Sequence, residues 1–147
     1  MKLKKITPLS LDEIDLYAKS LGIKNWRGVF MRQMLPLVPW KNECGVLNLG
    51  DITSNGTHWT CFVKTGGRKL YFDSFGSARP PLELVKYLGG EGLFFNEGRV
   101  QEFNDPPICG HLCLEVLHRN SLGENWEEIL KKIRDDKYVW REWFSHK

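Results

Sequence analysis

The spacing of apolar residues near the start of the chain predicts an amphipathic helix. Ser10 and Glu13 form a capping-box pattern, in which each side chain bonds the backbone amide of the other residue. Apolar residues then recur at helical intervals, and Gly22 is placed to end the helix after about Leu21. The residues expected on its buried face are Leu11, Ile14, Leu16, Tyr17 and Leu21.

After this helix the pattern becomes irregular and then extended. A second short helix is expected near Trp26–Met34, and Pro36 and Pro39 break the chain after it. The run Cys44–Leu49 is almost entirely apolar, which predicts a buried strand that ends at Gly50-Asp51.

The most regular segment predicts a β-hairpin. Two runs rich in β-branched and aromatic residues, Thr57–Val63 and Lys69–Phe75, are joined by a loop that contains Gly66-Gly67. Gly76 is placed to end the hairpin. An acidic residue such as Asp73 is unusual inside a buried strand unless another side chain pairs with it.

Helices dominate the second half of the chain. Pro80-Pro81 is suited to start a short helix that runs through Leu88, and a further strand is expected at Arg99–Phe103. Two longer helices are expected over Cys109–Asn120 and from about Asn125 to Asp135, with Asn125 and Glu128 as capping partners. The aromatic residues expected to dock the tail on the body are Trp140, Trp143 and Phe144.

Composition places these elements in one ordinary globular domain. The chain has 147 residues, 41% of them apolar and 27% charged, which is enough for one core and predicts a single domain over 1–147. No apolar run reaches the roughly 20 residues of a membrane helix, and no secretory signal is visible, so an intracellular protein is expected. A net charge of +3 allows a nucleic-acid partner without requiring one.

One cysteine stands at a position that favours chemistry. Pro106-Pro107 precedes Cys109, and because proline disfavours helix in the residue before it, the helix can begin only around Cys109. The free amides and the positive end of the helix dipole then favour a thiolate over a thiol. Gly110 is expected to leave space beside the sulfur for a substrate carbonyl.

A thiolate needs a proton donor, and one of the four histidines suits that role. His111 lies on another side of the helix from Cys109, His118 is more than two turns further on, and His146 is in the tail. His58 remains, at the start of a strand that follows the turn Asn55–Thr57.

A strand histidine also needs an acceptor to orient it. If the hairpin turns at Gly66-Gly67, Asp73 lies across the strand pair from His58. The chain therefore offers a nucleophile, a base and an orienting acid on three separate segments.

Several segments together resemble the adenain-type cysteine proteases of adenoviruses, which are relatives of the SUMO proteases. The resemblance spans about residues 44–118. It is carried by His58-Trp59, Tyr71–Gly76, Gln101 and Cys109-Gly110, in the chain order His, Asp, Gln, Cys. The stretches Lys41–Gly45, Gly56–Trp59 and Pro106–Cys113 further resemble the adenain-like proteases of polinton transposons and related large DNA viruses.

The resemblance implies an α+β fold of the papain-like or adenain-like kind, with a central mixed sheet flanked by helices and the nucleophile at a helix N-terminus. It implies Cys109 as nucleophile, His58 as general base and acid, Asp73 as orienting residue and Gln101 as oxyanion donor. Trp59 and Gly110 would border the substrate. The interval between Gln101 and Cys109 is slightly longer than in the family, so Asn104 or the backbone is an alternative donor.

The resemblance also implies a function: a thiol endopeptidase that processes capsid or other structural proteins of a DNA virus or polinton-like element. It would act in the host cytoplasm or nucleus and in the virion, without a metal or other resident cofactor. Adenoviral relatives use a disulfide-linked peptide and DNA as activators, and Cys44, Cys61 or Cys113 could form such a mixed disulfide.

Three alternatives stay open. The pattern Cys109-x-His111-x-Cys113 could hold zinc, although residue 111 lies on the opposite side of a helix from the two cysteines. An isopeptidase acting on ubiquitin-like proteins would use the same chemistry, and SUMO-protease domains are usually larger than this chain. An inactive binding module of the same fold is the third.

Overall fold

The computed structural model describes residues 5–50, 58–76, 79–90 and 92–144. The elements of this part of the chain are α1 (Leu11–Ser20), β1 (Trp26–Met31), a 3-10 helix (Arg32–Met34), β2 (Glu43–Asn48), β3 (Trp59–Thr65), β4 (Arg68–Phe72), α2 (Leu82–Tyr87), β5 (Leu93–Phe95), α3 (Cys109–Ser121), α4 (Trp126–Asp135) and α5 (Arg141–Phe144). None of the helices described is long and apolar enough to cross a bilayer.

The strands form one mixed sheet in the order β1-β2-β3-β4-β5. β2, β3 and β4 pair antiparallel, whereas β1 pairs parallel with β2 at one edge and β5 pairs parallel with β4 at the other. This mixed sheet flanked by helices confirms the expected α+β class.

Alternating side chains of the central strands form two apolar layers, one on each face of the sheet. The larger core joins the sheet to α3, which is buried from Cys109 through Leu117, and includes Val46, Cys61 and Phe72. The smaller core lies on the opposite face, where Leu47, Phe62, Tyr71, Leu84 and Leu88 pack together. The sheet therefore fixes α3 along its whole first half.

The predicted capping box is present at the start of α1. The Glu13 amide donates to Ser10 Oγ at 3.2 Å, and the Ser10 amide donates to Glu13 Oε1 at 3.0 Å. The predicted buried face was only partly right, because Leu11 and Leu16 are 45% and 58% exposed. Ile14, as predicted, and Ala18, which was not predicted, are the residues of α1 that are fully buried.

The hairpin and the later helices confirm their predictions. β3 and β4 pair antiparallel around Gly66-Gly67, although β4 ends just before Asp73. α2 lies within the range predicted after Pro80-Pro81. Asn125 caps α4 by accepting the amides of Glu127 and Glu128.

The helix predicted over Trp26–Met34 was wrong. That segment forms β1, followed by a single 3-10 turn at Arg32–Met34. Gly28 has a φ of +143°, which helical residues do not adopt. The backbone of β1 pairs instead with β2, as a parallel edge strand of the sheet. Pairing with a neighbouring strand overrides the local helical pattern here.

The strand predicted over Arg99–Phe103 was also wrong. The Val100 and Gln101 amides both donate to the single acceptor Ser74 O, and the Glu102 amide bonds the Asp105 carboxylate in a local turn. The edge strand is instead β5, at Leu93–Phe95.

Three sequence features lie outside the described residues. They are the turn Asn55–Thr57, Asp51 after β2, and His146.

Two glycines with nearly the same backbone conformation give a matched test of packing. Gly76 has φ +60°, and a Cβ there would lie 2.1 Å from Gly98 O; Gly66 has φ +57° with nothing within 4 Å. Left-handed strain costs roughly 1–2 kcal/mol at either position, and overpacking adds roughly 1–3 kcal/mol at residue 76. We expect Gly76→Ala to lower the free energy of unfolding, measured by urea denaturation, by clearly more than Gly66→Ala. Equal losses would contradict this packing.

Candidate active site

Cys109 is the first residue of α3 and lies against the start of β3. The preceding Ile108 supplies no side-chain cap. The positive end of the α3 dipole therefore lies at Cys109 without a competing side-chain acceptor. The Trp59 amide donates to Cys109 Sγ at 3.5 Å, and Cys109 is 6% exposed. The sulfur therefore sits at a helix N-terminus with one backbone donor, an arrangement that stabilises negative charge on sulfur.

His58 directly precedes β3, and its ring is directed toward Asp73 and Cys109, the two partners expected from the sequence. His58 Nε2 lies 2.6 Å from Asp73 Oδ1. The other nitrogen, Nδ1, is buried and has no hydrogen bond of regular geometry among the residues described. Phe75 packs on the imidazole with ring centroids 4.9 Å apart, which limits its rotation.

The imidazole is held in its protonated form by two acidic neighbours. Burial is the largest single influence on the pKa of His58, and it lowers that pKa. The hydrogen bond to Asp73 and the interaction with the Cys109 sulfur raise the pKa and together outweigh burial, so that it lies at about 9. His58 directly precedes Trp59, whose amide donates to the Cys109 sulfur, so the ring and the sulfur are carried by adjoining parts of the site. An imidazolium beside a thiol at a helix N-terminus can stabilise a thiolate and later donate a proton.

Asp73 follows β4 and is 2% exposed. Its Oδ1 also accepts the Phe75 amide at 3.0 Å, so the carboxylate is fixed by two donors. Asn96 holds the backbone of the same residue: the Asp73 amide donates to Asn96 Oδ1 at 2.9 Å, and Asn96 Nδ2 donates to Asp73 O at 2.7 Å.

Gln101 is buried in the loop between β5 and α3. Its Oε1 accepts the Ser74 hydroxyl at 2.8 Å, and its Nε2 donates to Pro106 O at 3.2 Å, three residues before Cys109. The nitrogen end of the amide thus faces the chain that leads into α3. Asn104, the alternative donor, is exposed to solvent. The role of Gln101 stays a prediction that this position supports.

Gly110 lies against three apolar side chains. A Cβ at this position would lie 3.2 Å from Trp59 Cδ1 and 3.4 Å from Ile14 Cδ1 and Leu9 Cβ. The missing side chain therefore lets α3 pack closely on Trp59, and the role of Gly110 beside the substrate stays a prediction. Trp59 is itself anchored, since its Nε1 donates to Leu9 O at 3.0 Å.

Among the described residues, His111 lies apart from this arrangement. His111 is fully buried against Trp140 and Phe144, with ring centroids 4.2 and 4.8 Å away, and burial lowers its pKa to about 4. All four cysteines are free thiols. Within the described ranges, no group of three or more His, Cys, Asp or Glu side chains is arranged to hold a metal ion.

Two residues of the site were missed from the sequence, Ser74 and Asn96. Asn96 contacts Asp73 from 23 positions away, and the hydroxyl of Ser74 reaches Gln101 from 27 positions away. No spacing rule relates such distant residues. The only local signal was a polar pair, Asp73-Ser74, at the end of an otherwise apolar strand.

Comparison with known proteins identifies the fold. No protein-family model matches the sequence, and no curated protein is similar to it by sequence. Among solved structures, the ASFV pS273R protease superposes with a TM-score of 0.55 at 15% identity over 87% of this chain. The SUMO protease Ulp1, with its catalytic cysteine oxidised to a sulfinic acid, gives 0.51 at 14% identity over 86% of this chain. The fold is that of the Ulp1-like cysteine proteases.

The chain spans only part of each of these two proteins. The chain spans 66% of the ASFV protease and 74% of the Ulp1 chain. At such low identity the likeness concerns the fold, and the roles of individual residues rest on the geometry described above.

The pairing of His58 predicts how stability depends on pH. The pKa of His58 in the folded protein, about 9, lies above its ordinary value of 6.5, so protonation stabilises the fold. This stabilisation is complete below about pH 6.5 and is lost as the pH rises through about 9. Asp73→Asn removes a cause of the raised pKa, so we expect the midpoint of His58, followed by NMR, to fall toward 6.5.

The control is Asp135→Asn, which removes an exposed carboxylate on α4 that pairs with Lys131. This change should leave the His58 midpoint in place. An unchanged midpoint in Asp73→Asn would show that Asp73 does not hold the imidazolium.

Proposed function

We propose that the protein is a thiol endopeptidase of the adenain type that processes capsid or other structural proteins of a DNA virus or polinton-like element. The observation that carries this proposal is the convergence of Cys109, His58 and Asp73 from three separate segments on a Ulp1-like cysteine protease fold. The nucleophile lies at a helix N-terminus, and the base is oriented by a buried acid.

The first half of the proposed reaction forms an acyl-enzyme. The Cys109 thiolate attacks the scissile carbonyl, and its sulfur–carbon bond forms as the carbonyl electrons move to oxygen. The resulting oxyanion is stabilised by the Cys109 backbone amide and by Gln101 Nε2. His58 then gives its proton to the leaving amine, and the peptide C–N bond breaks.

The second half releases the product. His58, now neutral, removes a proton from water, and the hydroxide formed attacks the thioester carbonyl. The thiolate leaves and the imidazolium is restored. Asp73 makes no bond to substrate; it keeps the ring oriented with Nδ1 free of other partners in the described part of the chain.

The substrate in this proposal is a protein cut beside small residues, such as Gly-Gly or Gly-X sites. The site of action would be the host-cell cytoplasm or nucleus and the virion. An activating peptide or DNA would act as in adenoviral relatives. However, Cys44, Cys61 and Cys113 are buried thiols, which disfavours all three as attachment points for such a peptide.

The second candidate function is removal of ubiquitin-like proteins from their conjugates. The observation that favours it is the likeness to the SUMO protease Ulp1. Its chemistry at Cys109 would be identical, so the two functions differ in how substrate is gripped.

Two cysteines on α3 provide a matched test of the nucleophile. We expect Cys109→Ala to reduce turnover of a fluorogenic Gly-Gly peptide by at least about 10³-fold, because no other group forms the acyl-enzyme. Cys113→Ala removes a buried thiol one helical turn later, costs about 1 kcal/mol of stability, and should retain most activity. Comparable rates for Cys109→Ala and the unmodified protein would reject the assignment.

An electrophilic probe separates the three functional classes. A short Gly-Gly peptide bearing a C-terminal electrophile should label Cys109 under conditions where a ubiquitin-like protein with the same C-terminal electrophile labels no faster. Labelling that is at least about tenfold faster with the folded modifier would favour the isopeptidase. Absence of labelling by both, with Cys109 intact by mass spectrometry, would identify an inactive module.

A further inference from the structure

We propose that Ser74 is a positioning residue that sets the orientation of the Gln101 amide, so that one dipeptide, Asp73-Ser74, aligns both the base and the oxyanion donor. This inference rests on the proposed function, in which Gln101 Nε2 faces the oxyanion. It adds a residue that does not touch the reacting atoms.

Ser74 holds Gln101 through both its side chain and its backbone. Ser74 is fully buried, and its hydroxyl donates to Gln101 Oε1 at 2.8 Å. Its carbonyl oxygen accepts the Val100 amide at 2.8 Å and the Gln101 amide at 2.9 Å. Ser74 therefore holds both the backbone and the side-chain amide of Gln101 by hydrogen bonds.

These contacts determine which end of the Gln101 amide faces the nucleophile helix. Pro106 O can only accept hydrogen bonds, so the amide group that approaches it must be the NH₂ end. Rotation of the amide would bring Oε1 against Pro106 O and leave the Ser74 hydroxyl without its acceptor. The second N–H of Nε2 has no partner among the described residues and stays free to donate to an oxyanion.

The adjacent residue serves the other half of the site. The Asp73 carboxylate binds His58 Nε2, and Asn96 fixes the Asp73 backbone from both its amide and its carbonyl. The Gly76 amide donates to Asp73 O at 2.9 Å, so Asp73-Ser74 begins a turn after β4, and its two neighbouring side chains reach two different partners, His58 and Gln101. A shift of this dipeptide would therefore move the base and the oxyanion donor together.

The test combines Ser74→Ala with Gln101→Ala in a double-mutant cycle. We expect Ser74→Ala to lower kcat about tenfold or more with less than a twofold change in KM, because the misoriented amide weakens a contact made in the transition state. The double variant should be no slower than Gln101→Ala alone. Additive losses in the double variant would overturn the proposal.

Two further measurements exclude a merely structural effect. Alkylation of Cys109 by iodoacetamide forms no oxyanion, so its rate and pH profile should be the same in Ser74→Ala and the unmodified protein. A peptide aldehyde forms a hemithioacetal that requires the oxyanion donor, so its affinity should fall by the same factor as kcat. A shifted alkylation profile would place the effect of Ser74 on His58 instead.

Thr60→Val is the matched control. Thr60 is also fully buried, and its hydroxyl donates to Leu47 O at 3.1 Å within the sheet. Loss of this hydroxyl should lower stability without the selective loss of kcat and aldehyde affinity. Equal kinetic losses in Thr60→Val and Ser74→Ala would overturn the positioning role.

A readout independent of turnover separates this proposal from the proposed function. The side-chain amide protons of Gln101, observed by ¹⁵N NMR, should be well dispersed in the unmodified protein and collapse toward free-glutamine shifts in Ser74→Ala. Unchanged resonances would overturn the positioning role even in an active enzyme. Failure of the unmodified protein to hydrolyse or label would reject the protease assignment, whatever these resonances show.

Discussion

The hydrogen bond between His58 and the buried Asp73 carboxylate is the interaction on which the candidate site depends. A buried carboxylate is costly unless donors surround it, and here His58 Nε2 and the Phe75 amide supply them. The same bond helps keep the ring protonated, since it raises the pKa of His58 against the opposing effect of burial. One hydrogen bond therefore both provides a partner for the buried carboxylate and raises the pKa of the ring.

The fold brings the three residues together because two strands and one helix meet at one end of the sheet. In an antiparallel hairpin the start of one strand lies beside the end of the other, so His58 before β3 and Asp73 after β4 are neighbours. α3 packs along β3, and Gly110 lets its first turn approach Trp59 closely. The Trp59 amide then reaches the Cys109 sulfur. A Cβ at residue 110 would lie 3.2 Å from Trp59 Cδ1, so Trp59 or α3 would have to shift by a few tenths of an ångström to accept it.

Local sequence signals predicted those parts of the structure that local interactions form. The capping box of α1, the hairpin around Gly66-Gly67 and the Asn125 cap of α4 each depend on residues close in the chain. The edge strands were missed because β1 and β5 pair parallel with strands distant from them, and only tertiary contact reveals that pairing. The positions of Cys109 and His58 followed from proline and hairpin geometry. Asn96 and Ser74 could not be found this way, since their hydrogen bonds close long loops.

The hydrogen bonds across those long loops explain why several polar groups are buried beside the site. The turn after β4 and the loop before α3 interlock: Asn96 binds Asp73, Ser74 O accepts two amides, and Gly76 lies so close to Gly98 that no side chain fits between them. Each buried polar group in this contact has a partner, so the loop is held without regular secondary structure. A loop fixed in this way can carry a side chain such as Gln101 as rigidly as a strand would. The failed strand prediction at Arg99–Phe103 has a structural consequence for Gln101. A strand would project this side chain from one face of the sheet, whereas the irregular loop directs its amide toward Pro106 in the segment that leads into α3.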